Sequence, residues 1–466
     1  MNFVKLDHFY VTIFSFLCLM NSYGQVKNTS AQQYKNHCSG CHGKDLSSFV
    51  ERKWIYGNSP EEIMNSITIG NENNGMPAYG KTFTKEEIKN LTDYILTEIE
   101  GKTLQGLEAQ NPDFQKIIIS DDLNFRVDVI SDQLNGIPWG MVQLPNGDFL
   151  VTERDGKLYK IDTKGQLTTI SGVPKVVAKR QGGLLDIILH PDFKKNNYLY
   201  LSYSKKHPNK SNKQTTAVCR AKLVDGQLIE CEDIFVALPY RTTKHHYGSR
   251  LLFDTKGYLY ISIGDRGGRD KYPQKLDNFL GKIHRIHDDG SIPKDNPFVN
   301  KEGAIPSIYA YGIRNPQGLT IHPETKEIWE GEHGPKGGDE VNILAPGHNY
   351  GWPEITYGIN YIGTRITKYT EKEGMEQPIH YWVPSIAPCG MTFLSSDIYG
   401  TWKNDLFVSS LKFEYLHRLK MDGNKIISEE KLLEDIGRVR HAYVGNDNFL
   451  YVLVEGPGRL LRIIPQ

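Results

Sequence analysis

Leu259-Tyr260-Ile261-Ser262-Ile263-Gly264-Asp265 is the stretch that decides the fold. It follows the turn residue Gly257, alternates bulky with smaller residues, and closes on a glycine and a carboxylate. β-Branched and aromatic residues in such alternation mark a strand. The same grammar recurs at Phe149-Leu150-Val151-Thr152, Leu199-Tyr200-Leu201-Ser202, Ile328-Trp329-Glu330-Gly331, Leu406-Phe407-Val408-Ser409 and Leu450-Tyr451-Val452-Leu453. Six such strands in one mainly β region predict radial repetition, a six-bladed β-propeller with one of them in each blade. Their spacing grows from 50 residues (149 to 199) to 78 (328 to 406), then drops to 44 (406 to 450). Regular blades repeat every ~40–50 residues, so long insertions must separate several of them. A pair of packed sheets is the competing fold.

Before residue 105 the grammar is helical. Ser30-Ala31-Gln32-Gln33, Ser59-Pro60-Glu61-Glu62 and Thr84-Lys85-Glu86-Glu87 each read as a capping box, in which the fourth residue reaches back to the first. Pro60 suits a first helical position, and Gly70 suits the stop. Ile88, Leu91, Ile95 and Ile99 share one helical face. A small all-α domain is therefore expected over 25–104, with a linker over 105–120 and the propeller over 121–466.

Cys38-Ser39-Gly40-Cys41-His42 lies inside the helical region. Two thiols at this spacing can each add to one vinyl group of a haem, and the histidine that follows ligates the iron. Met76, in the Gly/Pro-shaped loop Asn73-Asn74-Gly75-Met76-Pro77, is the candidate sixth ligand; His/Met ligation suits an electron carrier. A redox dithiol or half a zinc site would need a partner motif, and no second Cys or His pair lies nearby. With its final amphipathic helix, this region resembles the class I cytochromes c, which implies a covalent haem c.

Residues Phe9 to Met20 are mostly apolar behind Lys5 and end at Ser22-Tyr23-Gly24. The run falls short of the ~20 residues a spanning helix needs, so 1–24 reads as a signal peptide. An exported, periplasmic protein is expected, with no stable membrane span after cleavage; an uncleaved anchor is the alternative. Lys+Arg and Asp+Glu both total 55, which argues against a nucleic-acid binder. Cys219 and Cys231 flank the turn Val224-Asp225-Gly226-Gln227, so they can face each other across a hairpin. Cys389 is left as a lone, small buried residue.

Polar residues cluster just past the repeated strands: Asp265, then Glu332-His333-Gly334-Pro335, then Lys412. If those strands run the same way in every blade, these residues collect at one end of the propeller. His245-His246-Tyr247-Gly248-Ser249-Arg250 and Gly312-Ile313-Arg314-Asn315-Pro316-Gln317-Gly318 lie on nearby loops. Arg314, Lys412, Arg438 and Arg440 are candidates to grip an anionic ligand, since arginine forks bind carboxylates bidentately. Four unrelated surface charges would look the same from spacing alone.

Residues 135–465 resemble the soluble PQQ-dependent glucose and aldose sugar dehydrogenases. The resemblance rests on ordered pieces: Gln181-Gly182-Gly183-Leu184-Leu185, His246 four residues before Arg250, Ile263-Gly264-Asp265, Arg314-Asn315-Pro316-Gln317-Gly318, Gly334-Pro335 ahead of Asp339-Glu340, Asn349-Tyr350-Gly351-Trp352-Pro353, Pro384-Ser385-Ile386-Ala387-Pro388, Ser410-Leu411-Lys412 and Arg438-Val439-Arg440. It implies a six-bladed propeller that moves a hydride from a sugar to PQQ. His246 would be the general base, Asp265 its orienter, and Arg314 the group that polarises the quinone carbonyl. Asn315, Ser385, Lys412, Arg438 and Arg440 would bind PQQ. The carbonyls of Gly334 and Pro335 would ligate Ca²⁺, and Gln181 would contact the sugar. His333 departs from the glucose-type members, and the loop from Tyr357 to Met375 matches no family pattern. The fused haem implies internal electron transfer and a downstream electron acceptor. A Ca²⁺-dependent propeller hydrolase such as a sugar lactonase, and a non-catalytic binding propeller carrying an electron-transfer domain, are the competing readings.

Overall fold

The computed structural model describes residues 30–42, 46, 49, 57, 59–70, 76–99, 114 and 116–466, without the Cys41 side chain. The expected signal segment 1–24, most of the expected linker 105–120, and the Cys41 thiol lie outside the described residues. Contacts group the chain into two compact units that part between Glu108 and Ala109.

The larger unit holds six four-stranded antiparallel sheets. Five are sequential meanders. The sixth takes its outermost strand, Phe125–Leu134, from the start of the unit and pairs it with the last strand, Gly458–Pro465. First strands of successive sheets touch one another, as Leu184–Leu189 touches Pro138–Gln143 and Pro388–Phe393 touches Pro316–Ile321. The sheets are thus blades around an axis, and the terminal pairing closes the ring and protects the edges that an open sheet would expose.

Each of the six repeated strands is the second strand of its blade. Burial covers every residue of Phe149–Glu153, Leu259–Ile263, Ile328–Glu332, Leu406–Ser410 and Leu450–Glu455, because each strand is sandwiched between two neighbouring blades. The fourth position of the repeat explains its hydroxyl. Ser202 Oγ accepts from Asp186 N–H in its own blade (2.9 Å) and donates to Ser249 O in the next (2.6 Å). Ser262 Oγ likewise accepts from Arg250 N–H (2.8 Å) and donates to Pro316 O (2.8 Å). Thr152 repeats the device between Gly140 N–H and Leu185 O. One small hydroxyl therefore satisfies a main-chain group on each side of a blade boundary. In later blades Gly331 and Leu453 stand at that position and Ser409 Oγ is buried without a hydrogen-bond partner, so the rivet belongs to the first half of the ring.

The long insertions fall where the spacing requires: 264–281 and 287–307 in the third blade, and 345–379 in the fourth. A hairpin joins Gln214–Val224 to Gln227–Val236, and the Cys219 and Cys231 sulfurs sit 3.0 Å apart across it.

In the smaller unit, residues 30–37 are helical, followed by short helical turn Ser39–His42, then Pro60–Ile69 and Lys85–Ile99. Ser59 and Glu62 form a reciprocal capping box, Gly70 ends that helix, and Thr84 with Glu87 repeats the box. Gln33 departs from expectation. Its amide donates to Glu87 Oε1 (3.1 Å), because the last helix packs close enough to offer a charged acceptor in place of the local one. Ile63, Ile67, Ile88, Leu91 and Ile95 share one apolar core with Tyr34 and Phe83. Among the described residues no helix is long and apolar enough to cross a membrane.

Candidate functional site

In an antiparallel meander, the start of a blade's first strand and the end of its second strand lie at the same end of the sheet. Gln181, His246, Arg314 and Ser385 precede first strands; Asp265, His333 and Lys412 follow second strands. The fold therefore gathers them at one pole, where loops carry function on a rigid scaffold.

His246 sits at φ 54°, a left-handed conformation. Its N–H donates to Gln181 Oε1 (2.7 Å), and its Nδ1 donates to Asp265 Oδ1 (2.7 Å). Asp265 Oδ1 also accepts from Gly267 N–H (2.8 Å), and Oδ2 accepts from the Trp352 indole (2.9 Å). Burial pushes Asp265 up, but His246, the Arg314 charge and the indole together outweigh it and hold the carboxyl at about 2. Burial and the Arg314 charge press His246 below its ordinary value against the pull of Asp265. The ring is thus neutral, with Nδ1–H fixed and Nε2 left with a lone pair. His245 packs edge-on against it, with centroids 4.6 Å apart.

Arg314 is buried and committed to main chain: Nη1 donates to His333 O (2.7 Å) and Gly334 O (2.5 Å). Glu332 Oε2 accepts from the N–H groups of Arg314 (2.5 Å) and Asn315 (3.2 Å), and burial pushes that carboxyl up to about 7. Asn315 Oδ1 accepts from Gly248 N–H (3.1 Å). Ser385 Oγ donates to Asp339 Oδ1 (2.6 Å) and lies 3.3 Å from Pro335 O. Asp339 also accepts from Gly334 N–H (2.7 Å), and burial raises it to about 6. Lys412 joins through its N–H to Ile386 O (3.0 Å), the residue after Ser385. Direct bonds therefore link Gln181, His246, Asp265 and Arg314, and tie Ser385 to the Gly334–Pro335 turn.

Arg438 and Arg440 both reach Glu455, at 2.5 and 2.6 Å. Burial pushes Glu455 up, but the two arginines outweigh it and hold the carboxyl at about 2. Arg440 Nη1 also lies 3.5 Å from Cys389 Sγ, and that thiol contacts Gln317 Oε1 (3.3 Å). Sequence reasoning quoted Trp352 and Glu332 without giving them a role, and missed Glu455. The signal was positional: Glu332 and Glu455 end their repeated strands, next to where Asp265 follows its own.

The pole suits a polar, anionic ligand. Arg314 and Arg440 bring buried positive charge, and Asn315 Nδ2 and His333 Nε2 are buried without hydrogen-bond partners. Such orphaned atoms are costly unless a ligand satisfies them. For a cation, the Gly334 and Pro335 carbonyls are hard oxygen donors of the kind Ca²⁺ takes. Gly334 O already accepts from Arg314, so a cation there displaces that bond. Among the described residues no group of three His, Cys, Asp or Glu side chains forms a ready cage.

In the smaller unit, His42 N–H donates to Cys38 O (3.0 Å), which places the imidazole one helical turn beyond the thiol. Cys38 and Met76 both pack against the same apolar core, and the His42 ring stacks on Phe49 with centroids 4.5 Å apart. An apolar core with a thiol and a thioether on its wall suits a covalently tethered haem.

The profile described as Cytochrome C oxidase, cbb3-type, subunit III matches residues 26–95. Aldose sugar dehydrogenase YliI of Escherichia coli (strain K12) is 41% identical over 348 residues, 73% of this chain and 93% of that one. The crystal structure of the soluble aldose sugar dehydrogenase from Escherichia coli in its apo-form superposes with a TM-score of 0.70 at 40% identity, covering 73% of this chain and all of that one. The PQQ-bound aldose sugar dehydrogenase from Streptomyces coelicolor superposes at 0.61 with 27% identity, over 73% of this chain and 98% of its own. The profile described as Glucose / Sorbosone dehydrogenase matches residues 135–462, and with it the chain belongs to that family.

Proposed function

We propose that the protein is an exported quinohaemoprotein that oxidises aldose sugars and passes the electrons to its own c-type haem and then to a downstream acceptor. The observation that carries this reading is the Asp265–His246 pair, with a neutral imidazole, beside the buried Arg314. When bound, PQQ supplies a two-electron acceptor for hydride. His246 Nε2 takes the proton of the sugar hydroxyl, and Asp265 holds the tautomer that frees Nε2 and stabilises the cation that forms. Arg314 offers positive charge where negative charge develops, and burial strengthens that effect. Asn315, Ser385, Lys412, Arg438 and Arg440 would hold the cofactor's carboxylates and carbonyls, and Gln181 would meet the sugar. Ca²⁺ would sit at the carbonyls of Gly334 and Pro335. Haem would attach at Cys38 and Cys41, with His42 and Met76 on the iron. The YliI and Streptomyces relatives support the substrate class and the cofactor.

An anaerobic visible spectrum of the full chain, loaded with PQQ and Ca²⁺, tests the reading against a panel of aldoses. Reduced-haem bands are expected only when sugar, PQQ and Ca²⁺ are all present. A haem that dithionite reduces but no aldose does, even with an artificial acceptor, overturns the dehydrogenase reading and leaves the cytochrome standing.

A further inference from the structure

The outermost strand of the second blade, Gln227–Val236, is held only weakly by burial: residues 229 to 233 are all exposed. A strand with so little buried surface opens more readily than the blade behind it. Two bulges interrupt its pairing with Gln214–Val224. One lies between the pairs Arg220–Glu232 and Lys222–Ile229, where Glu230 and Cys231 stand against Ala221, and the other skips Ile234. Glu230 takes φ 53°, a left-handed conformation. Bulges raise the local twist and re-aim side chains. Asp233 is the residue opposite Cys219, so Cys231 is its diagonal neighbour, and yet the two sulfurs lie 3.0 Å apart. The strand is fixed nearby, since the Tyr203 hydroxyl donates to Asp233 Oδ1 (2.6 Å) and Lys205 pairs with the same carboxylate.

The two thiols differ in access. Cys219 is 1% exposed, whereas Cys231 is open to solvent. The hydrogen bond between them lowers Cys231, and together with burial it raises Cys219. The outer thiol is therefore the one that meets a reagent as thiolate, and the inner one is placed to attack it afterwards. Cys389 is fully buried in the first strand of another blade and takes no part in this pair.

We propose that Cys219 and Cys231 are a dithiol modification site, which a small-molecule disulfide oxidises to a cross-strand disulfide that staples the outer strand to its blade. The Cys231 thiolate attacks one sulfur of the incoming disulfide and expels the other half as a thiolate. Cys219, losing its proton, then attacks the Cys231 sulfur and expels the second half. Two protein thiols are oxidised, and one small disulfide is reduced to two thiols. The closed ring restricts the opened hairpin, so the strand opens less often. The site stands apart from sugar oxidation; it rests on the export part of the reading above, which supplies an oxidising compartment. To test it, the full-length protein is reduced, freed of reductant, incubated with glutathione disulfide, quenched in acid and digested with trypsin. Trypsin separates Cys219 (residues 214–220) from Cys231 (residues 223–241). The two peptides should be found linked, two hydrogens lighter than their sum, with no glutathione retained. Cys219→Ala should stop at a glutathione adduct on Cys231, and Cys231→Ala should leave Cys219 unmodified. Amide hydrogen exchange over residues 227–236 should slow on oxidation. A wild type that stops at the adduct, or whose two thiols still alkylate after the incubation, overturns the site, and exchange that oxidation does not change overturns the staple. A pair that links in the purified protein but stays reduced in acid-quenched cells keeps the site and overturns the export reading.

Discussion

Several places in the propeller pair histidine with a carboxylate, and two of them share an indole donor yet stand in different surroundings. At the pole, His246 meets Asp265, which is 1% exposed and also holds the Trp352 indole. At the rim, Glu429 lies between two imidazoles, 3.0 Å from His417 Nε2 and 3.3 Å from His380 Nε2, and accepts from the Trp382 indole at 3.2 Å. Both carboxyls are held below their ordinary range: Asp265 by His246 and Arg314 against its burial, Glu429 by its two histidines. The rim cluster joins the last strand of the fourth blade to the outer strands of the fifth, and its carboxylate is 38% exposed. Pairing alone therefore does not mark chemistry. Burial of the carboxylate, a neighbouring guanidinium and a position at the end of a second strand separate the pole from the rim.

The sharpest way to break this contrast is to exchange the histidines for alanine. His246→Ala should lower kcat by about two to four orders of magnitude, the usual worth of a general base, while the fold stays intact by circular dichroism. His417→Ala should change stability and not turnover. A comparable loss of turnover at both positions would erase the distinction.

Asp265→Asn should cost slightly less. The asparagine keeps the shape but loses the charge that fixes Nδ1–H, so a drop of about two to three orders of magnitude in kcat is expected in steady-state assays. A variant within threefold of wild type would remove Asp265 from the role of orienter.

A smaller effect concerns pH. His246 is held below its ordinary 6.5, so it stays a competent base as pH falls through that value. The acid limb of kcat/KM should accordingly lie below pH 6.5, provided His246 is the titrating group. The sign for stability follows: the depressed group contributes fully above 6.5, and the contribution fades as pH drops through its folded value. An acid limb above 6.5 would mean that another group controls the rate.

The smallest effect belongs to the rim. Glu429→Gln should lower stability by about 1 kcal/mol in urea titrations at neutral pH, since the cluster is partly solvated, and leave turnover unchanged. The depressed Glu429 stabilises above pH 4.5 and loses that contribution as pH falls further, so wild type and variant should converge in acid.

Much of the fold was legible because its code is local. The capping boxes at Ser59 and Thr84 need only neighbours three residues away, and both formed. The repeated strands were legible because burial on two faces forces an apolar run. The Val224–Gln227 turn was legible from its Asp-Gly pair, and it closes the hairpin that brings Cys219 to Cys231. Gln33 shows where local reading fails, since Glu87 is 54 positions away along the chain and outcompetes the local partner. Glu455 is the larger lesson. Arg438 and Arg440 look like free cations in the sequence, yet one carboxylate from the adjoining strand serves both.

The sequence by itself determined the elements and their order, because each turn, cap and buried strand is specified by residues within a few positions. It also determined the Cys38-Ser39-Gly40-Cys41-His42 motif, since its members lie within a few positions of one another. Only the tertiary structure decided which polar side chains meet. Gln181, His246, Asp265, Arg314 and Trp352 come from loops spread over more than one blade. They converge because the first and last strands pair to close the ring, which places the same end of every blade at one pole. That closure is a property of the whole chain, and the charge on each side chain at the pole depends on it.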